Sequence, residues 1–223
     1  MTVTKYAEIT ELAATAALDV LGGFHPDAQD KTPEGCKTLL LLGPGPGFWP
    51  HINAAPEMTD AGKDPIDRWS TRVIGDLANR LGGVARYPFG GPPYEPFYTW
   101  ALRTGRIWSS PVKLVVHDTN GLFVSFRGAL LLPYRIDLPA RPTAPPCETC
   151  SKPCLTACPV DALTGDGYAL DRCHSYLNTQ EGKACMTRGC AVRRACPAGQ
   201  SLRDPGQSAY HMSVFHRDDT ALT

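Results

Sequence analysis

The spacing of hydrophobic positions in the first eighty residues predicts two helices and a buried strand. Over residues 6–21 the apolar side chains recur at helical intervals, and Gly22-Gly23 would stop the helix. Residues 37–42 form a continuous apolar run, which is typical of a strand buried on both faces. Asp64-Pro65 opens a second helix with an apolar stripe, and Gly82-Gly83 would end it.

The following residues show the clearest β pattern. We expect a short strand over 84–89, an aromatic-rich helix over 96–102, and strands over 113–117, 122–126 and 129–132. Asn120-Gly121 lies between the first two of these last three strands and predicts a hairpin turn, because both positions tolerate a positive φ. These segments predict an α/β or α+β layer of sheet and helices over residues 1–132, and we expect the α+β class.

The chain changes character after residue 132. Residues 133–146 hold five prolines and little periodicity, which predicts a stiff, extended linker. Residues 147–200 form a small cysteine-rich module, in which we expect a short helix over 159–163. Residues 201–223 are predicted to be a polar tail, partly disordered.

Composition and charge exclude some classes of function. The chain is 43% hydrophobic, which allows a real core, and its formal net charge is zero, which does not indicate a nucleic-acid partner. Its apolar runs are too short to span a bilayer, so no membrane partner is expected. Residues 1–7 carry no hydrophobic signal core, and together with the many thiols this predicts a cytoplasmic protein.

Eight of the nine cysteines lie between Cys147 and Cys196. They are Cys147, Cys150, Cys154, Cys158, Cys173, Cys185, Cys190 and Cys196, and Pro159 and Pro197 close the two runs as Cys-Pro steps. Eight thiolates arranged in this way suit two 4Fe-4S clusters with four ligands each. Two structural zinc sites would also use eight thiolates but leave the Cys-Pro steps unexplained, and disulfides would need an oxidising compartment.

The ligand sets follow from a rule of two-cluster ferredoxins, in which the fourth cysteine of a run binds the other cluster. The first cluster would then take Cys147, Cys150, Cys154 and Cys196, and the second Cys158, Cys173, Cys185 and Cys190. Pro153 is one residue more than the standard first run contains, and the second run is wider still. The pairing of individual ligands is therefore left open.

The two halves of the chain resemble two known families. Cys158-Pro-Val-Asp-Ala-Leu163, the run 171–177 and the closing Cys196-Pro197 resemble the bacterial-type ferredoxin module of epoxyqueuosine reductase and of cobalamin-dependent reductive dehalogenases. Asp64-Pro-Ile-Asp67 and the run 117–133 resemble the CblC-type cobalamin-processing proteins, which have a nitroreductase-like fold. Both resemblances imply corrinoid chemistry.

The resemblances also imply a cofactor site. Arg127, with Gly128 and Phe126 beside it, corresponds to the Arg-Gly step of the CblC-like motif and would hold a corrinoid; a salt bridge at the sheet edge is the alternative interpretation. Phe48 and Trp49 would wall a flat cofactor together with other aromatic side chains, namely Tyr94, Phe97, Tyr98, Trp100 and Trp108, although ordinary packing is the alternative for each. The Asp-x-His-x-x-Gly signature is absent, so we expect a base-off corrinoid without a protein axial ligand.

Three functions remain open. The first is a cobalamin reductase, an oxidoreductase in which two clusters pass single electrons to a bound corrinoid. The second is a ferredoxin-like electron carrier whose N-terminal half docks a partner, and the third is a tRNA-modifying enzyme resembling epoxyqueuosine reductase. Residues 172–203 carry six basic side chains and one acidic one, which could dock an acidic electron donor such as a flavodoxin or ferredoxin.

Overall fold

The computed structural model describes residues 5–142 and 144–216, and in them the chain is a mixed α+β protein with a small antiparallel sheet. The described helices are α1 (Tyr6–Ala14), α2 (Phe48–Asn53), α3 (Pro65–Arg80), α4 (Phe97–Arg103), α5 (Leu170–Leu177), α6 (Lys183–Arg188), α7 (Ala191–Ala195) and α8 (Pro205–Phe215). The strands are β1 (Leu18–Phe24), β2 (Thr38–Pro44), β3 (Val84–Arg86), β4 (Ile107–Ser109), β5 (Val115–His117) and β6 (Gly128–Leu132).

The chain divides into two compact units. Unit 1 comprises Met1–Trp108 and Val124–Thr143, and unit 2 comprises Ser109–Phe123 and Ala144–Thr223. This division differs from the predicted boundaries at 132 and 147, because the segment Ser109–Phe123 belongs with the cysteine-rich part of the chain. Within the part of the chain that the structure describes, no helix has the length and apolar character needed to cross a bilayer.

Unit 1 is built on a four-stranded sheet of order β1-β2-β6-β3 with antiparallel pairing throughout. The apolar runs predicted as inner strands, 37–42 and 129–132, lie in the central strands β2 and β6, where Leu40 and Leu130 pair and are fully buried. The predicted helix after Asp64-Pro65 is confirmed as α3, and it packs on the sheet through Trp69 and Ile74. Burial of these side chains is the main favourable term in holding helix and sheet together.

The first helix is shorter than predicted. It ends at Ala14, and Ala17 takes a left-handed conformation (φ 54°) before β1 begins at Leu18. Gly22-Gly23 therefore lies inside a strand and does not terminate a helix. Leu18 and Leu21 fit a helical stripe as well as a strand, and pairing with β2, which the local sequence does not show, decides between the two structures.

The predicted strand over 122–126 is wrong. Val115–His117 is confirmed as a strand, but it pairs with β4, and the chain beyond the Asn120-Gly121 turn has no regular structure until β6. The backbone groups of this segment find other partners: Phe123 N–H donates to Asn120 O at 3.1 Å, and Leu122 O accepts a hydrogen bond from the Arg193 side chain. A strand is not needed to satisfy them.

The beginning of the predicted linker is packed into unit 1. Ile136 is 3% exposed and its carbonyl contacts His25 Nε2 at 2.9 Å. Tyr134 OH donates to Leu81 O at 3.0 Å, and the carbonyl of Tyr134 accepts from Thr38 Oγ1 at 2.9 Å. These contacts fix residues 134–136 to the core of unit 1.

Unit 2 differs from its prediction in two places. Residues 159–163 form a turn and not a helix, because Asp161 takes a left-handed conformation (φ 49°) and Leu163 bridges to Tyr168. The predicted polar tail contains α8, which packs on α6 and buries Met212. Residues 217–223 of that tail lie outside the described residues.

Candidate metal centres

Cys147, Cys150, Cys154 and Cys196 form the first group of thiols in unit 2. Burial raises the pKa of the Cys147 thiol above its ordinary value, and the negative charges of the three other members raise it further. Burial also raises the pKa of Cys154, and the charges of Cys196 and Cys150 add to the effect. Since like charges act on one another only at short range, Cys196 has come close to cysteines that are far away in sequence.

Cys158, Cys173, Cys185 and Cys190 form the second group. Burial raises the pKa of the Cys173 thiol; the hydrogen bond from Tyr168 opposes this, and the charges of the three other members add to it. Burial likewise raises the pKa of Cys190, and the charge of Cys185 adds to it against the backbone N–H groups of Val192 and Arg193. The second group is therefore also a local cluster of thiols.

The two groups have the same members as the two predicted ligand sets. Cys158 closes the first run of the sequence but lies with the second group, and Cys196 closes the second run but lies with the first group. Among residues 5–142 and 144–216, no three His, Cys, Asp or Glu side chains are placed to hold a single metal ion. A four-iron cluster makes a different demand, because each of its four thiolates binds a different iron atom.

The first group is positioned by a single 3₁₀ turn and by α7. The turn Pro153–Thr156 carries Cys154, and it begins at Pro153, the residue that is extra relative to the standard run. Lys152 precedes it in a left-handed conformation, and its N–H donates to Cys150 Sγ at 3.3 Å. Helix α7 packs against this turn and delivers Cys196 directly after its last residue.

The second group is positioned by three short helices. Cys173 lies on α5, Cys185 lies on α6, and Cys190 precedes the first residue of α7. Sulfur atoms of this group accept further hydrogen bonds: Ala162 N–H donates to Cys158 Sγ at 3.2 Å, and Tyr168 OH donates to Cys173 Sγ at 3.3 Å. Because α7 has a group-two cysteine before it and a group-one cysteine after it, this five-residue helix joins the two groups.

The Asn120-Gly121 turn forms part of the wall beside the first group. Gly121 is left-handed (φ 56°), and a Cβ atom there would lie 2.8 Å from Cys196 Sγ. Arg193 Nε donates to Leu122 O at 2.6 Å, and the guanidinium lies 5.5 Å from the centre of the Phe123 ring. The contact between the turn and Cys196 could not be read from the sequence, because it is made by backbone atoms and a glycine and leaves no motif.

His117 holds the same turn from inside. It is 2% exposed, and its Nδ1 accepts hydrogen bonds from the backbone N–H groups of Thr119 at 3.2 Å and Asn120 at 3.1 Å. Asp118 Oδ1 also lies 3.0 Å from this nitrogen. The imidazole thus fixes the backbone that contacts Cys196.

The residues predicted to hold a corrinoid lie in unit 1 in several environments. Arg127 Nη1 lies 3.2 Å from Asp67 Oδ1, which is the salt bridge of the alternative interpretation, and its Nε donates to Phe126 O at 2.9 Å. Burial raises the pKa of Asp67, and the charge of Arg127 opposes the shift. A Cβ on Gly128 would lie 2.8 Å from Ile74 Cδ1, so this glycine lets β6 approach α3 closely.

The predicted aromatic wall is divided between core and surface. Phe48 is 2% exposed and packs edge-on against Trp69 at 5.4 Å, while Trp49 is partly buried beside the same core. Phe97 and Trp100 are buried, Trp108 is partly buried, and Tyr94 and Tyr98 are 67% and 52% exposed. Unit 1 also has an open groove of about 490 Å³ beside Asp67, lined by Asp64, Asp67, Arg68, Thr71, Arg72, Phe89 and Gly90.

The basic side chains of residues 172–203 are only partly free to meet a partner. Lys183 and Arg188 are exposed on α6. Arg193 is bonded to Leu122 O, and Arg194 Nε donates to Gly189 O at 2.9 Å. Burial lowers the pKa of Arg193, while the charge of Cys190 opposes that shift.

Comparison of the chain with protein-family models, with curated proteins and with solved structures found no match. The interpretation of the two thiol groups therefore rests on their chemistry and geometry.

Proposed function

We propose that unit 2 holds two 4Fe-4S clusters and that the chain is an iron–sulfur oxidoreductase that reduces cobalamin. The observation that carries the proposal is the grouping of eight cysteines into two sets of four, with the last cysteine of each run in the opposite set. Crossed ligation of this kind is a property of two-cluster ferredoxins. The proposal includes a ferredoxin-like unit 2 and a nitroreductase-like unit 1.

The residues around the thiols suit such clusters. N–H and O–H groups donate to Cys150, Cys158 and Cys173, and donors of this kind stabilise sulfur that carries negative charge. Three of the eight thiols, Cys154, Cys185 and Cys196, are buried, which keeps water from the ligands. When bound, the clusters would supply reversible transfer of single electrons.

The substrate is proposed from the resemblance of residues 37–133 to CblC-type proteins. Cobalamin changes oxidation state in single-electron steps, so each electron leaving unit 2 would lower the cobalt by one oxidation state. An external one-electron donor must replace that electron. Lys183 and Arg188, which are exposed, offer positive charge to an acidic donor protein.

Anaerobic reconstitution followed by a cobalamin titration tests the proposal. The protein should bind about eight iron and eight sulfide, and the corrin absorption bands should shift on mixing. Arg127→Ala should keep its iron but bind cobalamin more weakly, while Arg80→Ala, which removes an exposed arginine at the end of α3, should match the parent.

Two results would contradict the proposal. Stoichiometric zinc without sulfide, in protein purified without air, would exclude the two 4Fe-4S clusters. A full iron content with unchanged corrin absorption bands would exclude cobalamin as the substrate and favour the electron-carrier hypothesis. A shift of the corrin bands without reduction of the cobalt by reduced protein would show a corrinoid-binding protein that is not a reductase.

A further inference from the structure

Tyr168 lies against the second group of cysteines. Its hydroxyl donates a hydrogen bond to Cys173 Sγ at 3.3 Å. The phenol therefore reaches a thiol of this group with a side-chain donor.

Tyr168 is held from two sides. The Tyr168 backbone forms a β-bridge with Leu163, and the N–H of the next residue, Ala169, donates to Ala162 O at 2.7 Å. On the other side, the Phe215 ring of α8 lies nearly parallel to Tyr168, with 6.2 Å between centroids and 11° between planes. The orientation of the hydroxyl thus depends on a helix that contributes no cysteine.

Phe215 is itself fixed. It stacks on His174 with 4.8 Å between centroids, and His174 Nδ1 lies 2.8 Å from His216 Nδ1. His216 Nε2 lies 2.8 Å from Asn178 Oδ1, which ties the end of α8 to the residue after α5. Together with the packing of α8 on α6, these contacts keep Phe215 beside Tyr168.

A hydrogen bond to a ligand sulfur changes the energy of the two oxidation states unequally. The sulfur atoms carry more negative charge in the reduced cluster, so a donor stabilises that state more and raises the reduction potential. Tyr168 donates to a cysteine sulfur from its side chain, whereas Cys150, Cys158 and Cys190 receive hydrogen bonds from backbone N–H groups.

We propose, resting on the proposed function, that Tyr168 raises the reduction potential of the cluster bound by Cys158, Cys173, Cys185 and Cys190, and that Phe215 positions it. Tyr168 is then a tuning residue: this cluster is easier to reduce than it would be with backbone donors alone. Helix α8 becomes part of the redox unit because its aromatic ring sets the direction of the phenol.

Potentiometric titration followed by EPR tests the proposal on the full-length, reconstituted protein. Tyr168→Phe should shift one of the two one-electron steps to a more negative potential and leave the other unchanged, with full iron and sulfide. Cys173→Ser identifies which step belongs to the second cluster, because an oxygen ligand alters that step. Tyr176→Phe is the matched control: it removes a hydroxyl nearby whose hydrogen bond goes to Glu181 O at 3.0 Å, and it should shift neither step.

Phe215→Ala tests the positioning role. Alone it should shift the same step in the same direction as Tyr168→Phe, and in the Tyr168→Phe background it should cause no further shift, because the two residues act through one hydrogen bond. Equal shifts in both backgrounds would show a general packing effect and overturn the role of Phe215.

The outcomes separate this inference from the proposed function. Full iron and sulfide with unchanged potentials in Tyr168→Phe would overturn the tuning role and leave the clusters in place. Absence of iron and sulfide from the reconstituted parent protein would overturn the proposed function and the tuning role together.

Discussion

Replacing Gly121 by alanine should weaken unit 2 and the first group of cysteines. Gly121 has a left-handed backbone, and the added Cβ would lie 2.8 Å from Cys196 Sγ and in closer contact with Ala198 O. Neither neighbour can move freely, because Ala198 O is a backbone atom and Cys196 follows directly after α7. The substitution must therefore push the turn away from the cysteine or distort it.

Two terms add up to the expected cost. A left-handed conformation costs a residue with a Cβ roughly 1–2 kcal/mol. Forcing an extra carbon into a packed site costs about 1–3 kcal/mol. The free energy of unfolding of unit 2 should fall by about 2–5 kcal/mol, which is a large share of the roughly 5–15 kcal/mol that stabilises a typical domain.

Urea denaturation of the reconstituted protein measures this change, with cluster absorption reporting on unit 2 and far-UV circular dichroism on the whole chain. With a slope of about 2 kcal/mol per molar urea, the midpoint should fall by about 1 to 2.5 M. Gly47→Ala controls for backbone strain, since Gly47 is left-handed (φ 75°) and its Cβ would meet no atom within 4 Å. Gly165→Ala controls for an added methyl in unit 2, where the nearest atoms are 3.5 Å away.

The reasoning is refuted if Gly121→Ala costs no more than Gly47→Ala and leaves the midpoint of the cluster absorption where it is in the parent. The turn would then not touch Cys196, and the segment Ser109–Phe123 would not belong to unit 2. A loss of stability seen by circular dichroism while the cluster absorption keeps the midpoint of the parent would lead to the same conclusion.

Two other predictions concern ligand pairing and pH. Cys196→Ala and Cys150→Ala should each lower the iron content from about eight to about four and leave the EPR signal of the second cluster. Cys185→Ala should leave the EPR signal of the first cluster. If Cys196→Ala instead gives the same signal as Cys185→Ala, the groups are not crossed. Arg72 donates to both carboxylate oxygens of Glu57, at 2.6 and 3.0 Å, and these bonds lower the pKa of Glu57 below its ordinary 4.5. A carboxyl group with a lowered pKa stabilises the folded state above its unfolded pKa and loses that effect as pH falls through the folded value. Parent protein should thus be more stable than Glu57→Gln at pH 7, and the difference in stability should shrink below pH 4.5. Urea midpoints measured by circular dichroism at each pH give this difference. A difference that is the same at pH 3 and pH 7 would contradict the prediction.

Much of unit 1 could be predicted because its signals are local. The continuous apolar runs of β2 and β6 suit central strands, and the Pro65 and Gly82 positions mark the ends of α3. Residues 18–24 and 122–126 could not be assigned in this way. Residues 18–24 form a strand because they pair with β2. In the segment 122–126, the Leu122 carbonyl accepts a hydrogen bond from Arg193, seventy-one residues later in the chain, and is not bonded to a neighbouring strand.

The candidate site was predictable to a similar extent. Cysteine spacing and the Cys-Pro steps lead to the two thiol groups without knowledge of the fold. The contact between Gly121 and Cys196 could not be foreseen, because a glycine next to an asparagine is equally typical of an ordinary hairpin. Tyr168 gave no signal either, since its proposed role depends on the direction of its hydroxyl, and Phe215, which stacks beside it, lies on a helix in the predicted polar tail.

The segment Ser109–Phe123 has a consequence for how the two units depend on each other. Both of its ends, at Trp108 and Val124, continue into unit 1, so for unit 1 it is an inserted loop. When unit 2 loses its order, this loop becomes flexible, and closing a flexible loop costs little, with each doubling of length adding only about 0.6 kcal/mol. Unit 1 can then stay folded after unit 2 has unfolded, but no single cut of the chain separates the two units. A cut after Trp108 leaves the unit 1 segment Val124–Thr143, which includes β6, on the fragment with unit 2, and a cut after Thr143 leaves Ser109–Phe123 on the fragment with unit 1.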